Sequence, residues 1–236
     1  MDLRPYLDDL EARLDDEVET ALADDWSAFC AGKFRGDIFS PRRRAAAKPT
    51  LSWPSPRVNA ALEDYKQMAL QQLAACSSQI AQGSGAMLTV RSNYGTGIMP
   101  MLFGSELFIM DDRHNTLPTT VPLATDDDKL RRLLDGGMPD LRQGLGEKVF
   151  TMGEFYHELF APYPRIRRYV NVYHPDLQGP MDVYELLRGS AMFLDLMDNS
   201  DLAHQVLTLI TDTYAAFMRK WLALHPYTAP TSCHWG

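Results

Sequence analysis

The chain has 236 residues, 45% of them hydrophobic, and a formal net charge of −8; this composition suits one globular domain with a sizeable core and excludes a fibrous or disordered protein. Residues 1–25 hold ten Asp or Glu and only two Arg, and the remainder is electrically balanced, which argues against nucleic-acid binding by a basic face. No apolar run approaches the roughly 18 residues of a membrane-spanning helix, and the acidic N-terminus is unlike a secretory signal. We therefore expect a cytoplasmic protein that binds neither nucleic acid nor membranes.

The first predicted element is an acidic amphipathic helix. Its apolar residues recur at steps of three and four from Leu3 to Phe29, the period of one helix face. Carboxylates occupy the other faces, and we expect them to be solvated, as runs of like charge usually are. They are Asp8, Asp9, Asp15, Asp16, Glu17 and Glu19. In the alternative, the leucine stripe docks a partner or a second copy, making a homodimer.

Residues 32–56 predict an irregular connection, because glycine, proline and basic residues alternate there. A short strand is expected from Thr50 to Trp53. The run from Arg42 to Arg44 is expected in a mobile, solvated loop. In the alternative it covers a ligand site and attracts a polycarboxylate, because guanidinium groups pair with carboxylates in a two-pronged geometry.

The next segment predicts a helix and then a buried strand. Apolar spacing indicates one long helix from Val58 to Ile80, and residues 86–90 read as a strand. Arg91, Asn93 and Tyr94 follow that strand directly. Arg91 would leave a buried strand as a cation and needs a carboxylate partner from substrate or protein. The sequence Gly95-Thr96-Gly97 predicts a tight turn, with a backbone anion nest as the alternative.

Short elements fill the middle of the chain. Two extended pieces are expected at residues 107–110 and 117–121, with His114 in the turn between them. The run from Asp126 to Asp128 opens a helix, because acidic side chains suit the positive end of the helix dipole. Another helix is expected from Gly146 to Phe160, and His157 within it is expected to be packed or exposed rather than catalytic.

A second strand, a loop and a helix follow. The run from Tyr169 to Tyr173 is β-branched and aromatic, and a polar turn leads from it into a helix running from near Asp182 to Met197. In a β/α barrel, residues just past a strand line the active-site mouth, which is where His174, Asp176 and Gln178 would lie. The last predicted helix runs from Asp201 to Leu224.

The three cysteines, Cys30, Cys76 and Cys233, do not form a Cys-x-x-Cys pair, so we expect reduced thiols rather than disulfides or a zinc ribbon. Cys76 lies on an apolar stripe and is expected to be buried and inert. Cys233 and His234 are potential ligands, but adjacent residues rarely bind one metal ion together. We therefore expect no metal site.

The segment from Val170 to Trp221, with its Gly179-Pro180 turn, resembles the uroporphyrinogen decarboxylase superfamily, and residues 87–107 resemble it more loosely. The resemblance implies an α/β fold of the (β/α)8 TIM-barrel type. Proteins of this family are commonly dimers, and its tetrapyrrole decarboxylases act without a cofactor. Only three or four candidate strands are present, whereas a full barrel has eight. We therefore expect an incomplete barrel at residues 57–236, preceded by a helical extension at 1–31 and a Pro/Arg-rich connection at 32–56.

Two positions depart from the decarboxylase pattern. Asn93 stands where the resemblance implies a catalytic Asp, and Leu186 about where it implies a tyrosine. The arginine segment Met-Arg-Gln-Ala-Gly-Arg of the decarboxylases has no counterpart. Because asparagine cannot supply a negative charge, these departures count against porphyrinogen itself as the substrate.

The leading hypothesis is decarboxylase or lyase chemistry on a small anionic, carboxylated substrate at the barrel mouth, without a cofactor. His174, Asp176 and Tyr94 are the catalytic candidates, and Arg91, Asn93 and Gln178 the substrate-binding ones. His174 would donate or accept a proton; Asp182 is expected to cap a helix together with Glu185. The alternatives are a corrinoid- or thiol-dependent methyltransferase, which would need zinc or a corrinoid, and a non-catalytic binding protein.

Overall fold

The computed structural model describes residues 1–227. In chain order its elements are α1 (Arg4–Arg13), α2 (Asp16–Cys30), α3 (Val58–Glu63), α4 (Tyr65–Ala81), β1 (Thr89–Arg91), α5 (Ile98–Leu102), β2 (Glu106–Phe108), β3 (Thr119–Val121), α6 (Asp127–Gly136), α7 (Gly146–Phe160), α8 (Pro164–Tyr169), β4 (Asn171–Tyr173), α9 (Pro180–Arg188), α10 (Met192–Asp198) and α11 (Ser200–Leu224). The chain divides into two compact units. None of the helices within residues 1–227 combines the length and apolar character needed to cross a bilayer.

The first unit comprises Met1–Arg91, Gly153–Tyr173 and residues 225–227. Strands β1 and β4 pair in parallel within it, with Thr89 opposite Asn171 and Arg91 opposite Tyr173. Helix α4 packs on α3 and on β1, and α1 packs on α8 and α4. The core between them is formed by fully buried side chains, including Leu7, Leu10, Leu14, Leu22, Met68, Leu73, Val90, Tyr156 and Ile166.

Two of the predicted long helices are each broken in two. Leu14 is extended (φ −73°, ψ 123°), and the Asp15 carboxylate accepts hydrogen bonds from the first backbone N–H groups of α2. Asp64 does the same for α4, accepting from Lys66 N at 2.7 Å. Both breaks are N-caps, because an Asp side chain replaces the missing helical acceptor. The predictions of single helices over residues 3–29 and 58–80 were therefore wrong.

The acidic N-terminal face is only partly solvated, which corrects the prediction. Asp9 and Glu19 are 6% and 3% exposed. Asp9 accepts hydrogen bonds from Thr50 N (2.8 Å) and Trp53 Nε1 (3.0 Å) and pairs with Arg13 (2.7 Å). These contacts hold residues 50–53 in an irregular conformation, and the strand expected there is not formed.

Arg43 is buried, although the sequence predicts a solvated loop around it. Its guanidinium donates two hydrogen bonds to Glu19, at 2.6 and 2.9 Å, and further bonds to the carbonyl oxygens of Ser84 and Ala86. Arg42 and Arg44 are exposed on either side of it. Arg43 therefore holds the segment of residues 32–56 against α2 through Glu19. The Glu19 carboxylate already neutralises the charge of Arg43 within the first unit.

The second unit comprises Ser92–Met152 and His174–Leu224. The strands β2 and β3 form an antiparallel pair, with Leu107 opposite Thr120, and α11 packs on α9, α10 and α6. The Phe150 ring of α7 stacks on Phe217 of α11 at 4.7 Å between centroids. Helices α6, α7 and α11 confirm the predicted positions.

The predicted helix from Asp182 to Met197 is interrupted. Helix α9 ends at Arg188, Gly189 takes a φ of +70°, and a short 3-10 turn leads into α10. Glycine suits this site because a left-handed backbone conformation is strained for other residues.

The fold is of the mixed α/β type and is 58% helical. The strands of residues 1–227 form two separate two-stranded sheets, one parallel and one antiparallel. A closed eight-stranded barrel is thus not shown within the described residues, although the parallel β1–β4 pair is of the kind that β/α units form.

Candidate functional site

Strands β1 and β4 end side by side. Because they are parallel and Arg91 pairs with Tyr173, the chain continues from the same sheet edge into residues 92–97 and 174–178. Both segments belong to the second unit. In α/β proteins this carboxyl edge is the usual place for ligand-binding loops, so these segments are the candidate functional site.

Residues 92–97 form a tightly packed turn. Ser92 is fully buried and donates a hydrogen bond to the carbonyl oxygen of Val149 at 2.9 Å. Gly95 has a φ of +79°, and a Cβ there would lie 2.5 Å from the carbonyl oxygen of Pro118. Only glycine fits such a position. The structure therefore has the predicted turn, and its glycine is required by close packing.

Asn93 presents an unsatisfied acceptor in this turn. Its side chain is half-buried, and its Oδ1 atom is buried without a hydrogen-bond partner among the described residues. A buried polar atom without a partner costs about 1–3 kcal/mol. A ligand or water that donates a hydrogen bond to Oδ1 would recover that cost, and the binding role of Asn93 stays a prediction.

Tyr94 was predicted as a catalytic residue next to Asn93. It is 1% exposed and lies in the core of the second unit. Because the Tyr94 side chain is buried, its hydroxyl could contact a ligand only if the ligand were itself enclosed by the protein. Its catalytic role remains a prediction.

His174 directly follows β4 and is 7% exposed. Its Nδ1 lies 2.8 Å from the carbonyl oxygen of Pro175. A carbonyl oxygen can only accept, so Nδ1 carries the hydrogen in the neutral ring and Nε2 is the basic nitrogen. The backbone thereby fixes the ring tautomer, as proton transfer through Nε2 would need.

Asp176 and Gln178 bind one another. Gln178 Nε2 donates a hydrogen bond to Asp176 Oδ1 at 2.5 Å. Gln178 has a φ of +60°, a left-handed conformation that is uncommon for a residue other than glycine and is found at ligand sites. The structure therefore assigns Asp176 a contact with Gln178, and the catalytic role of Asp176 stays a prediction.

Arg91 is the last residue of β1 and belongs to the first unit. Its side chain is half-buried, and its carbonyl oxygen accepts a hydrogen bond from the Tyr156 hydroxyl at 3.2 Å. Whether the guanidinium holds a substrate carboxylate stays a prediction.

Asp182 caps a helix, but in a different way from the one predicted. It is the third residue of α9, and its carboxylate accepts a hydrogen bond from the backbone N–H of Gly179 at 3.2 Å. The predicted pairing with Glu185 is therefore wrong. Leu186, the other position that departs from the decarboxylase pattern, is half-buried on the same helix.

The sequence reasoning missed a buried charge network in the second unit. Arg188 donates hydrogen bonds to Asp195 at 2.8 and 3.0 Å, to Asp127 at 2.5 Å and to the carbonyl oxygen of Ala124 at 3.1 Å. The Tyr184 hydroxyl donates to Asp195 at 2.8 Å. The one available signal is that Tyr184 and Arg188 are four residues apart and so share a helix face.

This network shifts the pKa of its members. Burial alone would raise the pKa of the Asp195 carboxyl, but hydrogen bonds from Arg188 and Tyr184 outweigh burial and lower it. Burial and the Asp195 charge raise the pKa of the Tyr184 hydroxyl far above its usual value. The network therefore remains charged at neutral pH and ties α9 to α10 and to the start of α6.

No group of three or more His, Cys, Asp or Glu side chains within residues 1–227 is placed to hold a metal ion. Cys233 and His234, the potential metal ligands near the end of the sequence, lie outside the described residues. Cys76 is buried, as predicted, and its thiol donates to the carbonyl oxygen of Thr89 at 3.4 Å.

His157 and His225 stack in the first unit with ring centroids 5.1 Å apart. His157 is exposed, whereas His225 is 1% exposed. Burial, with a smaller contribution from the charge of His157, lowers the pKa of His225 to about 4. The pair combines a buried neutral base with an exposed ring.

Acidification is expected to destabilise the first unit through His225. Its pKa is about 4 in the folded chain and about 6.5 when unfolded, so between these values the unfolded state binds the proton first. The contribution of neutral His225 to the free energy of unfolding is fully present above pH 6.5, and up to about 3 kcal/mol of it is lost as the pH falls towards 4. Urea unfolding from pH 4 to 7 measures this slope, which should be smaller in His225→Leu and unchanged in the control His204→Leu on exposed α11. An equal slope in both variants and the wild type would contradict the assignment.

A comparison with solved structures found a protein of similar fold. No protein-family model and no curated protein matches the chain. Among solved structures, a methyltransferase from Methanosarcina mazei is similar, with a TM-score of 0.58 and 17% sequence identity, covering 86% of this chain and 56% of that chain. The chain thus spans about half the length of that protein. At 17% identity this likeness shows a similarity of fold alone.

Proposed function

We propose that this chain contributes the β1–β4 part of a barrel of the uroporphyrinogen decarboxylase superfamily, and that it binds a small anionic molecule at residues 92–97 and 174–178. One observation carries the proposal: two parallel strands end side by side. One leads into Asn93, whose Oδ1 atom is buried without a hydrogen-bond partner among the described residues, and the other leads into the buried side chain of His174. Polar groups that lack full solvation at a strand-end edge are typical of ligand sites in such folds.

Methyl transfer is the chemistry we favour over decarboxylation. The structural neighbour is a methyltransferase, and Asn93 is a neutral amide where the decarboxylase pattern has a carboxylate. A neutral acceptor does not stabilise a developing positive charge as an Asp does, but it can hold the N–H or O–H group of a ligand. The hypothesis that this chain is a decarboxylase therefore has less support than the hypothesis that it is a methyltransferase.

His174 would serve as the base in this proposal. A thiol accepts a methyl group as its thiolate, so the S–H proton must leave before or as the S–CH3 bond forms. The bond between the methyl group and its donor breaks in the same step, and the donor keeps the electron pair of that bond. Nε2 is the basic nitrogen of His174, because Nδ1–H is held by Pro175, and it would take that proton as a general base. Arg91, at the end of β1, would pair with the anionic end of the acceptor.

Zinc and corrinoid would accompany methyl transfer in this superfamily. The described residues do not fit a zinc site, because no cluster of three ligands is formed among residues 1–227. We therefore assign no step to a metal. The part proposed for this chain is the binding and deprotonation of the acceptor.

The proposal predicts that 2-mercaptoethanesulfonate, an anionic thiol, binds and that His174→Asn weakens binding about tenfold, the loss of roughly one hydrogen bond. Asparagine can keep the hydrogen bond to Pro175 while removing Nε2. Isothermal titration calorimetry measures the dissociation constants, and His204→Asn on exposed α11 is the matched control.

Failure of the wild type to bind, or equal affinity in both variants, would overturn the assignment of this site. Tighter binding of a thiol-free dicarboxylate such as succinate would instead favour the decarboxylase reading. Circular dichroism of each variant separates a binding defect from a folding defect.

A further inference from the structure

The second unit carries an open pocket whose lining residues include none of residues 92–97 and 174–178. Its volume is about 430 Å³, and its lining residues are Phe103, Leu123, Lys129, Arg132 and Leu133. Pockets of roughly 300–1,000 Å³ suit small molecules. Three of the five side chains are apolar and two are cations, and none takes part in the function proposed above.

The walls of this pocket are held in place by buried contacts. Arg188 binds the carbonyl oxygen of Ala124 (3.1 Å) and the carboxylate of Asp127 (2.5 Å), and Ala124 N donates to Leu187 O at 2.8 Å. Leu130 of α6 is fully buried. Ala124, next to Leu123, and the first turn of α6 are thus fixed, so a ligand would meet a preformed surface and lose little affinity to ordering it.

The two cations share one face of α6. Lys129 and Arg132 are three residues apart, which places them one above the other on a helix. The Arg132 side chain forms no hydrogen bond or ion pair within residues 1–227. Lys129 lies 3.1 Å from Thr125 Oγ1 and 3.9 Å from Asp126, an exposed arrangement of little energetic weight. Asp127, two residues before Lys129, is already paired with Arg188.

We propose that this pocket binds an amphipathic anion. The apolar tail would lie on Phe103, Leu123 and Leu133, and a single carboxylate, sulfonate or phosphate head would pair with Lys129 and Arg132. A guanidinium matches the two oxygens of such a head, and apolar burial contributes about 25 cal/mol per Å². Because the lining combines three apolar side chains with two cations, it favours a molecule that has both an apolar tail and an anionic head.

Decanoate is the probe that tests the proposal. Isothermal titration calorimetry should show one site per chain, and Arg132→Gln should weaken binding about tenfold. Arg131→Gln is the matched control, because Arg131 is exposed on the same helix and does not line the pocket. Leu133→Asn should also weaken binding, since it removes part of the apolar floor.

A head group of this kind also occurs on membrane lipids, so a second arm uses vesicles of phosphatidylglycerol. Binding of free decanoate that depends on Arg132 and not on Arg131 supports the pocket, with or without vesicle binding. Binding to vesicles alone, reduced equally by both substitutions, would show adsorption through a basic surface and overturn the proposal. So would the absence of decanoate binding, or equal losses in the two arginine variants.

Discussion

Replacing Asp195 by alanine is expected to lower the free energy of unfolding of the second unit by about 3–5 kcal/mol, because it leaves a buried guanidinium without its main counter-ion. The Arg188 and Asp195 side chains are 5% and 4% exposed. Asp127 also pairs with Arg188, but its side chain is 48% exposed, so it compensates only in part. Urea unfolding measures the loss, and amide hydrogen exchange in α9, α10 and α11 locates it.

Two further variants test the cause. The double variant Arg188→Met, Asp195→Leu removes both charges and should recover much of the stability, because apolar residues often replace a buried ion pair without loss. Glu147→Gln breaks the exposed pair between Glu147 and Arg142 and should leave stability nearly unchanged. A double variant as unstable as Asp195→Ala would contradict the explanation by an unpaired charge.

The helices that the sequence predicts well have complete local signals. Helix α6 begins after Asp126, whose carboxylate accepts from Lys129 N at 2.9 Å, and α11 keeps one apolar stripe through Phe217 and Trp221, both fully buried. In such segments capping, periodicity and packing agree. The prediction needs no information from distant residues.

The helix breaks were not predictable from periodicity. Leu14 and Leu62 are both buried, so the apolar stripe continues through the interruptions at Asp15 and Asp64. The stripe records which residues face the core, whereas the break depends on a single side chain acting as an N-cap. An Asp within an acidic run gives no sign of which carboxylate will take that position.

Buried charges escaped prediction for a different reason. Asp9 binds Thr50, and Glu19 binds Arg43, so each pair joins segments far apart in sequence. A charge run normally indicates a solvated face, and only the tertiary fold decides which members find a partner.

The position of the candidate site in the chain could be predicted from the sequence, but the contacts within the site could not. Polar residues after two apolar runs located the segments that contain Asn93 and His174, because parallel strands end at one edge. The tautomer of His174 depends on the carbonyl oxygen of Pro175, and the unsatisfied Oδ1 of Asn93 depends on burial. Neither follows from residue type alone.

Arg43→Met is expected to lower the stability of the first unit by about 3–5 kcal/mol, because the Glu19 carboxylate would remain buried without its partner. The two side chains are 0% and 3% exposed. The carbonyl oxygens of Ser84 and Ala86 would lose their hydrogen bonds as well. Urea unfolding and hydrogen exchange of α2 measure the effect.

Arg43→Lys should be nearly as harmful, since an ammonium cannot reproduce the two parallel bonds to Glu19 and the bonds to both carbonyl oxygens. Arg44→Met is the matched control, because Arg44 is exposed one residue away and its loss should leave stability unchanged. If Arg43→Met and Arg44→Met behaved alike, the arginine run would be a solvated loop after all, and a role in attracting a polycarboxylate would be open to all three residues. If only Arg43→Met is unstable, that role is left to Arg42 and Arg44, because the charge of Arg43 serves the fold.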